Sequence, residues 1–117
     1  MSGAGKAEVP RARAAALTPF SALVGSTVTG PDGAKVGTIA DIMVAAAEGR
    51  VVYVALGVGG FYGVGERLFA VPWEAFIVDP VAGALSLHFD ADALEGKPGF
   101  DKDAWPTAAD ATLVSGN

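Results

Sequence analysis

From Leu23 to Phe89 the chain alternates short apolar runs with turn-forming residues, at a spacing that suits strands and leaves no room for intervening helices. The pattern predicts a first strand over Leu23–Thr29, followed by a turn at Gly30-Pro31-Asp32-Gly33, where Pro fixes φ and Gly tolerates positive φ. A second strand follows over Lys35–Ala45, turned by Glu48-Gly49, and a third over Arg50–Val58, dense in the Val and Tyr that strands favour. A glycine-rich loop, Gly59–Gly65, leads to a fourth strand over Arg67–Trp73, with Pro72 near its end, where a missing N–H costs little. Phe76–Asp79 and Ala84–Phe89 form a predicted hairpin through Pro80-Val81-Ala82-Gly83. Asp90 is placed to cap a single helical turn over Asp90–Glu95.

The faces of these strands differ. In the last, Leu85, Leu87 and Phe89 share one side while Ser86, His88 and Asp90 share the other, as expected for one core face and one wet face. The third strand is apolar on both sides, with Val51, Tyr53 and Ala55 against Val52, Val54 and Leu56. The fourth is similar, with Leu68 and Ala70 against Phe69, Val71 and Trp73. A single-layer barrel points only one face of each strand inward, so the outer faces of these two strands require cover. A C-terminal arm, a second copy of the chain or a different partner would each supply it.

The predicted fold is therefore all-β: a small closed antiparallel barrel of five or six strands over residues 21–90. Residues 1–20, rich in Ala, Gly, Pro and Arg without a periodic apolar face, are expected to be a flexible tail. Residues 91–117 are expected to be an irregular or short-helical arm carrying Trp105.

Four segments carry a resemblance to a known family: Leu23-Val24-Gly25-Ser26-Thr27-Val28, Gly33 to Ile42, Val52-Tyr53-Val54-Ala55-Leu56, and Phe69 to Phe76 with its Val71-Pro72-Trp73 core. In order and spacing they resemble the PRC-barrel pattern over about residues 20–89. The stretch Gly99 to Pro106 is similar to a tail found on stand-alone bacterial members. The resemblance implies a small barrel used in assembly and not in catalysis. Such barrels occur in the H subunit of photosynthetic reaction centres and at the end of a ribosome-maturation factor. The membrane helix of the first and the preceding domain of the second have no counterpart here, so only the binding-module character is expected to carry over.

Composition narrows the function further. At 51% apolar residues with sixteen Gly, wholesale disorder is excluded. With no Cys, disulfides and thiolate metal sites are excluded too. Net charge is −5, and the eight Lys and Arg are scattered, so no basic patch exists to displace counterions from nucleic acid. No apolar run approaches the ~20 residues of a membrane span, so direct membrane insertion is not expected. The apolar stretch Ala14 to Leu17 is too short for a signal peptide as written, which favours a cytoplasmic location.

Candidate chemistry is thin. The loop over Gly57–Gly65 lacks the Gly-Lys-Ser/Thr ending of a phosphate-binding loop and precedes a strand, not a helix. His88 stands alone, and Glu74 would need a second carboxylate, for which Asp41 is the nearest suggestion. The acidic run from Asp90 to Asp103 has Leu94 where a calcium loop needs an oxygen ligand. The expectation is thus no catalytic residues, no metal and no cofactor. The chain reads as a protein–protein interaction module, most simply a homodimer, with Tyr53, Phe61, Tyr62, Phe69 and Val71 as interface residues. The alternatives are a small-molecule binder or hydrolase at the barrel mouth near Trp73 and the glycine-rich loop, and a ribosome- or RNA-associated factor, which the negative charge disfavours.

Overall fold

The computed structural model describes residues 17–59 and 66–114. A one-turn helix α1 (Phe20–Leu23) precedes six strands: β1 (Thr27–Thr29), β2 (Lys35–Ala45), β3 (Arg50–Val58), β4 (Arg67–Pro72), β5 (Phe76–Val78) and β6 (Leu85–Leu87). Three 3-10 turns are interspersed, η1 (Trp73–Ala75), η2 (Ala91–Leu94) and η3 (Ala111–Leu113). The strands form one sheet in the order β4-β3-β2-β1-β6-β5.

This architecture corrects the expected closed, all-antiparallel barrel. Every pairing is antiparallel except β1 with β6, which run parallel where Thr29 meets Ser86. The sheet is mixed and curls into a half-barrel. Its two edge strands, β4 and β5, are consecutive in sequence and are joined by η1, not by a hydrogen-bonded ladder. Pro72 ends β4 without an N–H to donate, and the 3-10 turn that follows takes the chain out of strand geometry before β5 begins. Helical turns also make the chain mainly, but not wholly, β.

The longest strand, β2, supplies the curvature. Its register against β3 shifts between Ile39 and Asp41 and again between Met43 and Val44. Each irregularity bends the strand and increases its twist, which lets one strand pair with β1 on one side and β3 on the other. The expected first strand is shorter than the sequence pattern suggests. Leu23 ends α1 and turns into the core, and Gly25 at φ 91° redirects the chain before β1. The predicted turn after β6 forms as η2, with Asp90 Oδ1 accepting from the Asp92 N–H at 3.0 Å.

Inside the curl, Val28, Val36, Ile39, Ile42, Val54, Leu56, Phe69, Val71, Leu85, Leu87 and Phe89 pack as one core, closed by Leu94 from η2 and Leu113 from η3. Each fully buried aliphatic side chain there contributes about 1.5–3 kcal/mol relative to exposure. A second, smaller cluster of Tyr53, Ala55 and Ala70 lies on the opposite face of β3 and β4.

Candidate functional site

Strand alternation decides which residues of β3 and β4 face outward. Val54, Leu56, Phe69 and Val71 point into the curl, so Tyr53, Ala55 and Ala70 must point away from it. These outward residues are nonetheless buried, because residues 99–114 cross back over them. Phe100 and Trp105 pack on the cluster together with Ala109. Phe100 meets the Tyr53 ring edge-on at 6.3 Å and the Trp105 ring at 5.1 Å.

Hydrogen bonds fix this arm to the edge of β4. The Phe100 N–H donates to the Leu68 carbonyl at 2.8 Å, and the Asp110 N–H donates to the Ala70 carbonyl at the same distance. Between these points the Tyr53 hydroxyl donates to the Pro106 carbonyl at 2.8 Å. Burial, reinforced by the nearby Asp41 charge, pushes the Tyr53 phenol above its ordinary pKa of 10.0, so it remains a donor through the neutral range. Past Asp110, which caps η3 by accepting from the Thr112 N–H, Leu113 drops into the main core at 1% exposure. The arm therefore acts as a clasp, pinned on the outside by aromatics and on the inside by one leucine.

The residues expected to form an interface are placed differently. Phe69 and Val71 are core, at 5% and 0% exposure, because they share the inward face with Leu56 and Val54. Tyr53, at 1%, is outward but lies beneath the arm. Phe61 and Tyr62 lie outside the described residues. Of the covers considered for the outer faces, the arm is the one present.

Exposed apolar surface is found elsewhere. Leu17 is 83% exposed, Phe20 47%, Val78 42% and Val81 94%. These four side chains line two adjoining clefts between residues 17–23 and the β5–β6 hairpin. The larger cleft, about 200 Å³, is walled by Leu17, Phe20, Val51, Trp73 and Val78 over a floor of Leu23 and Leu85. Trp73 leans against Phe76 with ring centroids 6.3 Å apart and packs on the core, sealing this end of the curl.

Local chain geometry shapes the cleft rim. Asp79 accepts from the N–H groups of Val81 and Ala82 at 2.8 and 3.1 Å, which shapes the hairpin turn and lowers its carboxyl pKa. Gly83, at φ 75°, sits so near the entering segment that a Cβ there would lie 2.8 Å from Thr18 Oγ1. Neither cleft has a charged residue in its lining, and Asp79 stands just outside. Sequence reasoning missed this surface because Leu17 and Phe20 were assigned to the tail. The apolar β5, Phe76-Ile77-Val78, was the available signal.

The remaining candidates lie on the surface. Glu74, Asp41 and His88 are all exposed, and His88 packs edge-on against Phe89 at 5.3 Å. Among the described residues no three His, Asp or Glu side chains converge as a metal site, and no helix is long and apolar enough to cross a membrane.

A family model described as PRC-barrel domain matches residues 19–94 of the 117. Among curated proteins none matches. Among solved structures the chain is similar to RimM from Pseudomonas aeruginosa, named as a 16S ribosomal RNA processing protein. Identity is 22%, the match covers 72% of this chain and 50% of that one, and the TM-score is 0.39. The chain spans half the length of that protein.

Proposed function

The chain belongs to the PRC-barrel family, and we propose that it works as a non-enzymatic protein–protein interaction module. On this reading it self-associates through the apolar surface around the β5 clefts, while the outer faces of β3 and β4 serve the chain's own arm. The observation that carries the proposal is the grouping of Leu17, Phe20, Val78 and Val81 as exposed apolar side chains around one pair of clefts. Contiguous apolar surface of this kind is usually reserved for contact.

Two further features favour a second copy as the occupant. The chain carries a net charge of −5, yet the cleft linings are uncharged, so two copies meeting here bring few like charges together. In addition β5 is an edge strand, hydrogen-bonded to β6 alone in the strand order, and an edge can pair with its own copy about a twofold axis.

Because the sequence has no Cys, a single introduced thiol reports contact cleanly. Val81→Cys at the cleft rim is expected to form disulfide-linked dimers on mild oxidation, whereas Ala46→Cys in the exposed β2–β3 turn is not. Equal cross-linking of both variants, or of neither, would reject the surface.

A further inference from the structure

A third cavity, of about 220 Å³, lies at the other end of the β3–β4 pair, where Val58 and Arg67 are register partners. Its apolar lining comes from Val58, Phe69 and the η2 residues Ala91 and Leu94, and its polar rim from Arg67, Glu95 and Lys97. In a chain of net charge −5, this pocket sets the Arg67 guanidinium beside an apolar lining.

Arg67 lines the pocket above Phe69 and is exposed. Its guanidinium lies 6.0 Å from the Phe69 ring centroid, at the outer limit of a cation–π contact. The same group lies against the backbone of Gly99, where a Cβ would come within 2.9 Å of its Nη2. Exposed Arg50 pairs with Glu48 at 2.7 Å, but Arg67 has no carboxylate partner among the described residues. Lys97 on the same rim reaches Thr112 Oγ1 at 3.3 Å. A guanidinium above a hydrophobic recess matches one kind of ligand. Its five N–H donors suit a carboxylate bidentately, and the recess suits an uncharged body. A dry apolar cavity of ~150 Å³ is large enough to hold benzene, so this volume fits a ring or a short acyl chain.

We propose that this pocket binds a small carboxylate with an apolar body, independently of the self-association surface at the opposite end of β3 and β4. The probes are benzoate and benzyl alcohol, titrated into the ¹⁵N-labelled full chain and followed by amide chemical shifts. Benzoate is expected to give saturable shifts centred on Val58, Phe69, Ala91 and Leu94, with the alcohol about tenfold weaker. Arg67→Gln, at an exposed position, is expected to reduce benzoate to the level of the alcohol. A short peptide ending in a free Phe carboxylate, compared with its amidated form, separates a protein terminus from a free metabolite as the source. Tighter binding of the free-acid peptide than of benzoate assigns the site to protein C-termini, and weaker binding assigns it to small metabolites. Equal binding of acid and alcohol, no saturable shifts at those amides, or undiminished benzoate binding by Arg67→Gln would overturn the proposal.

Discussion

Two apolar surfaces of this molecule have met opposite fates. The outer face of β3 and β4 carries Tyr53, Ala55 and Ala70 and is closed by the arm, so that Tyr53 is left 1% exposed. The surface around β5 carries Leu17, Phe20, Val78 and Val81, and each is at least 42% exposed. Hydrophobicity alone therefore does not decide which apolar surface is covered. The outer face is closed by directed bonds as well as by area: two backbone hydrogen bonds to β4, one from the Tyr53 hydroxyl, and Leu113 anchored in the core. Residues 17–23 give the clefts around β5 walls but no lid.

The contrast makes the arm part of the folding unit, and the variants that break it should cost the most. Leu113→Ala removes a side chain that is 1% exposed and leaves a cavity, with an expected loss of about 2–5 kcal/mol read from urea unfolding. An unchanged midpoint would mean that the arm is not docked in solution. Trp105→Ala strips the outer clasp from Phe100 and Tyr53 and forfeits the indole bond to the Lys102 carbonyl. Because Trp105 is only half-buried, roughly 2 kcal/mol is expected.

Tyr53→Phe sharpens the comparison by removing one hydroxyl. The Pro106 carbonyl loses its donor, at a cost of about 1 kcal/mol. The pH dependence provides a second signature. The folded phenol titrates above the unfolded value of 10.0, so the folded state holds its proton more tightly. Its contribution is complete below pH 10 and is lost as pH rises through the raised folded pKa. Wild type should therefore lose stability more steeply above pH 10 than Tyr53→Phe. Parallel profiles would show that the hydroxyl is not held beneath the arm.

Much of the fold could be read from single strands, because alternation is local. The wet and core faces of β6, the Asp90 cap and the need to cover β3 and β4 all follow from neighbouring residues. Which face of β3 turns inward was not legible, since both are apolar and the choice depends on what Phe69 and Val71 meet across the curl. The parallel pairing of β1 with β6 and the failure of β4 and β5 to pair with each other were also hidden, because they depend on contacts between distant strands. The clefts were missed for the same reason. Leu17, Val51, Val78 and Leu85 come together only after folding.

The smallest expected change in stability belongs to Val78→Glu. At 42% exposure the site tolerates a charge, so unfolding should move by no more than about 0.5 kcal/mol. Its effect on association should nevertheless be the largest, since the charge enters an uncharged cleft wall. The most direct test is the molar mass of the wild type and of Val78→Glu, measured by light scattering across a dilution series. A wild type that is dimeric and dissociates on dilution, beside a Val78→Glu variant monomeric throughout with its fold intact, is the predicted result. A wild type that stays monomeric at every concentration, or a dimer that Val78→Glu leaves untouched, would contradict the assignment of the open surface as the site of association.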